Sequence, residues 1–362
     1  MFEGVWKESL DQARMRQSPL ALWEGHGVES ILVIHQGALG DFILGLPALE
    51  SLRQAFPRAK LMIMGYPRIL ELVDRRFYAE GILSIDQRGM ASFFVHGGPL
   101  DLSLSRLFGQ FDLLALIAQD RDGTLVQNLG RVSRGRVLHL RPFPPSDQRV
   151  HLTDHLLKQL SYYGLLISGS NPKLYLRESD RNWAEEFWRR RGLSLKERSE
   201  MVVLHPGSGS KGKVWPLERF QRLAEILQER LRSKILVVLG PAEEGEAERV
   251  FEEMDPQTFI PVKGLSLLQV ASLMEGSRVF IGNDSGISHL ASALGIPTIT
   301  IFGPTDPEVW APRGERVWVV RNGTPCSPCS RDRFLQCTGI DCLRGIGIDQ
   351  VLEGLEKIGI GT

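Results

Sequence analysis

Short runs of Val, Ile and Leu recur along the chain, each closing on a glycine or polar turn and leading into an amphipathic stretch. Continuous apolar runs of this length mark strands buried on both faces, the condition of a parallel sheet covered by helices. In the first half they are ILVIH (Ile31–His35), KLMIMG (Lys60–Gly65) and FDLLALI (Phe111–Ile117). The helical pattern Val150–Ile167 follows, and then a polar segment containing Pro172. The pattern restarts at Met201–Gly207, Lys234–Gly240, Arg278–Asp284 and Pro297–Pro304, with helical patterns at Pro216–Leu231 and Ser266–Ser277 between. Two such halves predict an α/β protein with two Rossmann-like domains and a central cleft, ligands gathering at the carboxyl ends of the strands.

At 362 residues the chain exceeds a comfortable single core, in keeping with two domains. The expected division is an N-terminal extension over 1–27, a first domain over 28–170 and a linker over 171–180. A second domain over 181–348 and a C-terminal helix over 349–362, packing back toward the first domain, complete it. Charged residues make up 24% and the formal net charge is +0, so composition carries no signature of nucleic-acid binding. The basic run Arg181–Glu200 reads as a solvated helix face. No apolar run is long enough to span a bilayer, and the opening residues lack the apolar core of a secretory signal. A cytoplasmic protein is the expectation.

The loop LHPGSGSKGKVWP (Leu204–Pro216) leaves a strand through small residues and two lysines. Ser208, Gly209 and Ser210 let backbone N–H groups approach an anion, and Lys213 adds a point charge for phosphate. It does not match the pattern of a P-loop nucleotidase. In FIGNDSGISHLASALGIP (Phe280–Pro297) a strand ends at Asp284, and Ser285-Gly286 open a helix carrying His289. A helix N-terminus attracts anions, so two such loops in one domain favour diphosphate binding. The plain alternative makes Asp284 or Ser285 an N-cap and His289 a core histidine. Glu243, after another strand, suits ribose hydroxyls or merely a helix N-terminus.

Asp41 lies in the other half, in GALGDFILGLPAL. Gly37-x-x-Gly40-Asp41 fails the dinucleotide fingerprint, and Pro47 predicts that the helix proper starts there. Asp41 then sits in the loop or in a short preceding turn, as a cap or as a carboxylate aimed into the cleft. Facing a diphosphate donor, such a carboxylate suits general-base work on an acceptor hydroxyl. An ordinary aspartate, with a pKa of about 3.9, needs help from its surroundings for that role.

Cys326, Cys329, Cys337 and Cys342 are the only cysteines and form C-x2-C-x7-C-x4-C. The opening pair has the spacing of a zinc knuckle, so a structural zinc site is one expectation and an empty reduced cluster the other.

Four blocks, GALGDFILGLPAL, HPGSGSKGKVWPLERF, NDSGISHLASALGIP and FGPTDPEVWAP, occur in the order that resembles the ADP-heptose:lipopolysaccharide heptosyltransferases, glycosyltransferase family 9. The resemblance implies a GT-B fold and inverting transfer of heptose from ADP-L-glycero-D-manno-heptose to an inner-core sugar of lipopolysaccharide, with no metal or other cofactor needed for catalysis. It implies Asp41 as general base, Lys213 on phosphate, and Ser208, Gly209 and Ser210 in the same loop. Asp284, Ser285, Gly286 and His289 are implied at the diphosphate and sugar, with Glu243 and the Leu265 backbone at ribose and adenine. The implied acceptor is a lipopolysaccharide core or lipid A precursor, met at the cytoplasmic face of the inner membrane. The alternatives are a GT-B transferase for another nucleotide sugar or glycan acceptor, a GT-B epimerase, and a non-catalytic nucleotide-sugar-binding protein of envelope assembly.

Overall fold

The structure is a computed structural model that describes residues 27–167, 169–240 and 245–361. The extension expected over 1–27 therefore falls almost entirely outside the described residues, as does Glu243.

The first sheet contains β1 (Ser30–His35), β2 (Lys60–Gly65), β3 (Gly81–Ser84), β4 (Leu113–Ile117) and β5 (Arg136–Leu140). All pair in parallel, in the order β3-β2-β1-β4-β5. The second contains β6 (Val202–His205), β7 (Ile235–Val238), β8 (Phe259–Val262), β9 (Val279–Asn283), β10 (Thr298–Phe302) and β11 (Val317–Arg321). It too is parallel, in the order β11-β10-β9-β6-β7-β8. The central strands are apolar throughout because helices cover both faces: β4, β6, β7, β9 and β10 are buried at every residue.

Strand order reverses between β1 and β4 in the first sheet and between β6 and β9 in the second. At each reversal the loops leaving neighbouring strands part in opposite directions and open a crevice at the carboxyl ends. The short helix after β1, Leu39–Leu44, carries Asp41, the β6 loop carries Lys213, and β9 runs directly into Asp284. The topology thus delivers all three residues to the two switch points.

Pro47 lies in the first turn of the Leu46–Ala55 helix, where its missing N–H leaves no bond unmade. A separate short helix, Leu39–Leu44, precedes it and carries Asp41. The two halves are in direct contact. The Leu39–Leu44 helix packs on the Gly286–Ala293 helix, and Arg76 pairs with Asp180 at 2.7 Å, their side chains only 7% and 9% exposed. Arg149 pairs with Asp306, Arg313 with Asp154, and Tyr78 donates its hydroxyl to the Lys173 carbonyl at 2.8 Å.

Two expectations are corrected. The stretch 171–180 already contains the start of a helix, Glu178–Arg190, which packs on the Leu267–Met274 helix of the second half. The C-terminal helix, Ile348–Lys357, packs on β10 and β11 of its own sheet rather than on the first domain. Val351, Leu352 and Leu355 on its apolar face join the second domain's core, which leaves no apolar stripe to turn toward the other half. No helix among the described residues is long and apolar enough to cross a membrane.

Candidate active site at the facing strand ends

Asp41 is the third residue of its helix, and one carboxylate oxygen, Oδ2, accepts the Ala38 N–H at 3.1 Å. It is therefore a cap, yet capping occupies one oxygen, and among the described residues Oδ1 makes no hydrogen bond. Burial pushes the Asp41 carboxyl above the usual aspartate range; the Ala38 N–H and the Lys213 ammonium pull it down, and the Asp284 charge pushes it up. Two of these influences come from the opposite domain. Asp41 and Lys213 thus lie within electrostatic reach of each other across the junction.

Lys213 ends a single 3-10 turn, Lys211–Lys213, and its ammonium lies 2.8 Å from Asp284 Oδ2. The same oxygen accepts the Thr305 hydroxyl. Asp284 thereby holds the lysine head at the end of β9 and joins it to the loop after β10. Ser208 is buried and donates to the Asp284 carbonyl at 2.9 Å, so it ties the β6 loop to β9. Gly209 is exposed and open around its Cα, and Ser210 precedes the 3-10 turn, accepting the Lys213 N–H at its carbonyl at 3.0 Å while its side chain makes no capping bond.

The Gly286–Ala293 helix begins after Ser285, whose side chain makes no capping bond and whose Oγ lies 3.4 Å from Ser288 Oγ. Leu39 lies over the helix start: a Cβ on Gly286 would sit 2.8 Å from Leu39 Cβ, so only glycine fits. His289 follows on the same helix, with burial lowering its pKa to about 4. Its Nδ1 is buried and has no hydrogen-bond partner among the described residues. A buried neutral ring with an unmatched nitrogen near a helix N-terminus is a polar group without the partner such groups ordinarily have. Leu265 is half-buried just past the end of β8, on the same end of the second sheet but at its edge.

Several residues of the site were not anticipated from sequence. Asn283 is fully buried, donates to the carbonyls of Pro206 and Gly207 at 2.8 and 3.2 Å, and accepts the Trp215 N–H at 3.0 Å. It locks both ends of the Lys213 loop to β9. Its place directly before Asp284 was a signal: a buried amide at a strand end needs three or four partners, which only neighbouring loops supply. His35, at the end of β1, lies beside Asp41. A Cβ on Gly37 would meet His35 Cε1 at 2.5 Å and Asp41 Cβ at 2.9 Å, and both groups line one small cavity with Gln36 and Phe143. The Gly37 N–H donates to His35 Nδ1 at 3.1 Å, which leaves Nε2 as the protonated nitrogen of a ring that burial keeps neutral, its pKa about 4.

The four thiols are free. Burial pushes the Cys329 and Cys342 thiols up, with neighbouring cysteine charges adding to it. Among the described residues no group of three or more His, Cys, Asp or Glu side chains is gathered to hold a metal ion, so the zinc expectation finds no support in the donor geometry.

The model of glycosyltransferase family 9 (heptosyltransferase) matches residues 144–337. Among curated proteins, lipopolysaccharide heptosyltransferase 3 of Escherichia coli (strain K12) is 23% identical over 305 residues, covering 77% of this chain and 83% of that protein. Among solved structures, the glycosyl transferase family 9 from Veillonella parvula DSM 2008 superposes with a TM-score of 0.76 at 21% identity, over 92% of this chain and 98% of that one. E. coli heptosyltransferase WaaC with ADP gives 0.64 at 18% identity, over 91% and 100%. The fold of these neighbours and the two parallel sheets agree with the expected GT-B architecture.

Proposed function

The chain belongs to glycosyltransferase family 9 (heptosyltransferase), and on that premise we propose that it moves a heptose, with inversion, from ADP-heptose to a sugar of the lipopolysaccharide inner core. The observation that carries the mechanism is the packing of the helix bearing Asp41 on the Gly286–Ala293 helix, which brings its carboxylate within electrostatic reach of the Lys213–Asp284 pair across the domain junction. One side of the site supplies a base with a free oxygen, the other a cation beside a helix N-terminus. That is the polarity a sugar transfer from a diphosphate requires.

In the proposed step the acceptor hydroxyl gives its proton to Asp41 Oδ1 while its oxygen forms the new bond to the anomeric carbon. The bond from that carbon to the β-phosphate oxygen breaks, and its electron pair leaves with ADP. Attack from the face opposite the leaving group inverts the anomeric centre. Burial raises the basicity of Asp41 toward the working pH, which is what a general base needs. Lys213 and the N-terminus of the Gly286–Ala293 helix neutralise the charge growing on the diphosphate. His289 offers its unmatched Nδ1 to the same ligand.

The ADP moiety is supported by the ADP-bound neighbour, and the heptose and its acceptor by the heptosyltransferase relative. Glu243 and the Leu265 backbone are our assignment for ribose and adenine. A lipid-linked acceptor places the enzyme at the membrane surface during turnover, as a peripheral visitor. The test is transfer from ADP-heptose to heptose-deficient lipopolysaccharide by wild type and Asp41→Ala. Equal rates would remove Asp41 from the mechanism, and a wild type that binds ADP but transfers nothing would make the chain a binder.

A further inference from the structure

The cysteine-bearing segment is not absorbed by the reaction, yet it touches both loops that hold Lys213 and Asp284. Cys329 donates its N–H to the Pro304 carbonyl at 2.7 Å, and Ser327 donates its hydroxyl to the Gly303 carbonyl. Trp215 Nε1 donates to the Ile346 carbonyl at 3.0 Å, while the Trp215 N–H goes to Asn283. Two glycines mark the closest approaches. A Cβ on Gly303 would lie 2.5 Å from Leu343 Cγ, and one on Gly212 would lie 2.7 Å from Phe334 Cε2. Neither glycine has a positive φ, so backbone conformation does not call for glycine at these places. What requires it is the room taken by Leu343 and Phe334.

We infer that the segment from Cys326 to Ile346 is the buttress of both donor loops, and that Phe334 is a positioning residue that sets Lys213 through Gly212. The physical reason lies in the loop itself. Lys213 ends a lone 3-10 turn, a weakly held element that no long helix or strand stabilises. Phe334, on the Arg331–Gln336 helix, packs its ring on the middle residue of that turn. The ring prevents the turn from unwinding and keeps the ammonium beside Asp284. The thiols matter here only as parts of the segment, since among the described residues the tie from a cysteine to the loops is the Cys329 backbone N–H.

This inference rests on the donor reading above, and ADP is the probe that separates the two. Calorimetry on the full chain measures ADP affinity for wild type, Phe334→Ala, Phe334→Leu and Lys213→Met. Phe334→Ala is expected to weaken ADP about tenfold, as one misaligned charge-assisted contact does, and Phe334→Leu to recover most of that. In the Lys213→Met background Phe334→Ala is expected to add nothing, because it acts through the lysine. The neighbouring Leu335→Ala, at a side chain 72% exposed, should bind as wild type. Additive losses in the double variant, or wild-type affinity in Phe334→Ala, would overturn the positioning role. If Phe334→Ala melts early, Gly212→Ala carries the same test by pushing the ring away, and unchanged ADP affinity there overturns it too. A wild type that does not bind ADP at all sinks the donor reading and this inference with it.

Discussion

Gly40 of the first domain and His289 of the second meet so closely that a Cβ on the glycine would lie 3.0 Å from the histidine Cδ2. The contact places the helix that carries Asp41 directly on the helix that carries His289. It also makes the approach of the domains sensitive to a single methyl. Gly40→Val should hold them apart and lower kcat/KM by about 5- to 150-fold, the consequence of overpacking by roughly 1–3 kcal/mol. Steady-state kinetics with ADP-heptose checks this, and a Gly40→Val enzyme as fast as wild type would mean that turnover does not use this contact.

Asp41→Asn keeps the cap geometry but cannot take a proton. We expect kcat to fall by about 10²–10⁴, the range for loss of a general base, with ADP affinity within about twofold of wild type. A parallel loss of ADP affinity would show that Asp41 serves the donor instead.

The pH profile gives an independent reading of the same group. In the proposed mechanism Asp41 works as its carboxylate, so kcat/KM should fall on the acid side as it takes up a proton, at a pH above the ordinary aspartate value. Lys213 lowers the Asp41 pKa. Replacing it by Met removes that pull, so the acid limb should move to higher pH. An acid limb that stays in place in Lys213→Met would disprove the coupling.

His35, His151 and His289 are buried and neutral, each with a pKa of about 4 against a usual value of 6.5. The unfolded chain binds these protons first, so the stability from keeping the rings neutral is present above about pH 6.5. It is lost progressively as pH falls toward 4. Thermal melting should drop across that window, and His289→Gln should flatten the slope. A melting temperature that is constant from pH 6.5 to 4.5 would contradict it.

Arg76 and Asp180 form a nearly buried pair between the first domain and the start of the Glu178–Arg190 helix. Arg76→Ala should destabilise by about 3–5 kcal/mol, because Asp180 is left charged and buried, and Arg76→Met/Asp180→Leu should recover much of it. Urea denaturation of the single and double variants measures this, and additive losses would argue against the pair.

The central strands were legible because burial on both faces leaves an uninterrupted apolar run, as in LLALI of β4 and ILVV of β7. The edge strands were not. RVLHL of β5 and VWVVR of β11 mix buried and exposed residues, GILS of β3 is only partly buried, and FIPV of β8 is interrupted by a proline. An edge strand is covered on fewer sides, so its sequence is under weaker apolar demand. The C-terminal helix shows the complementary limit: its periodicity revealed an apolar stripe but not which sheet would receive it.

The sequence by itself determined the two parallel sheets, the loops at their carboxyl ends and the residue types those loops carry. Each of these is written in the spacing of near neighbours along the chain. Only the tertiary structure decided that Asp41 caps its own helix with one oxygen and keeps the other free, and that Asp284 holds Lys213. The same holds for the approach of Gly40 to His289 and of Phe334 to Gly212. The partners in the last three pairs are far apart in sequence: Gly40 meets His289 because the two sheets present their strand ends to each other, while Lys213 meets Asp284 and Phe334 meets Gly212 through packing within the second domain. Packing between elements has no period, so no local pattern could announce it.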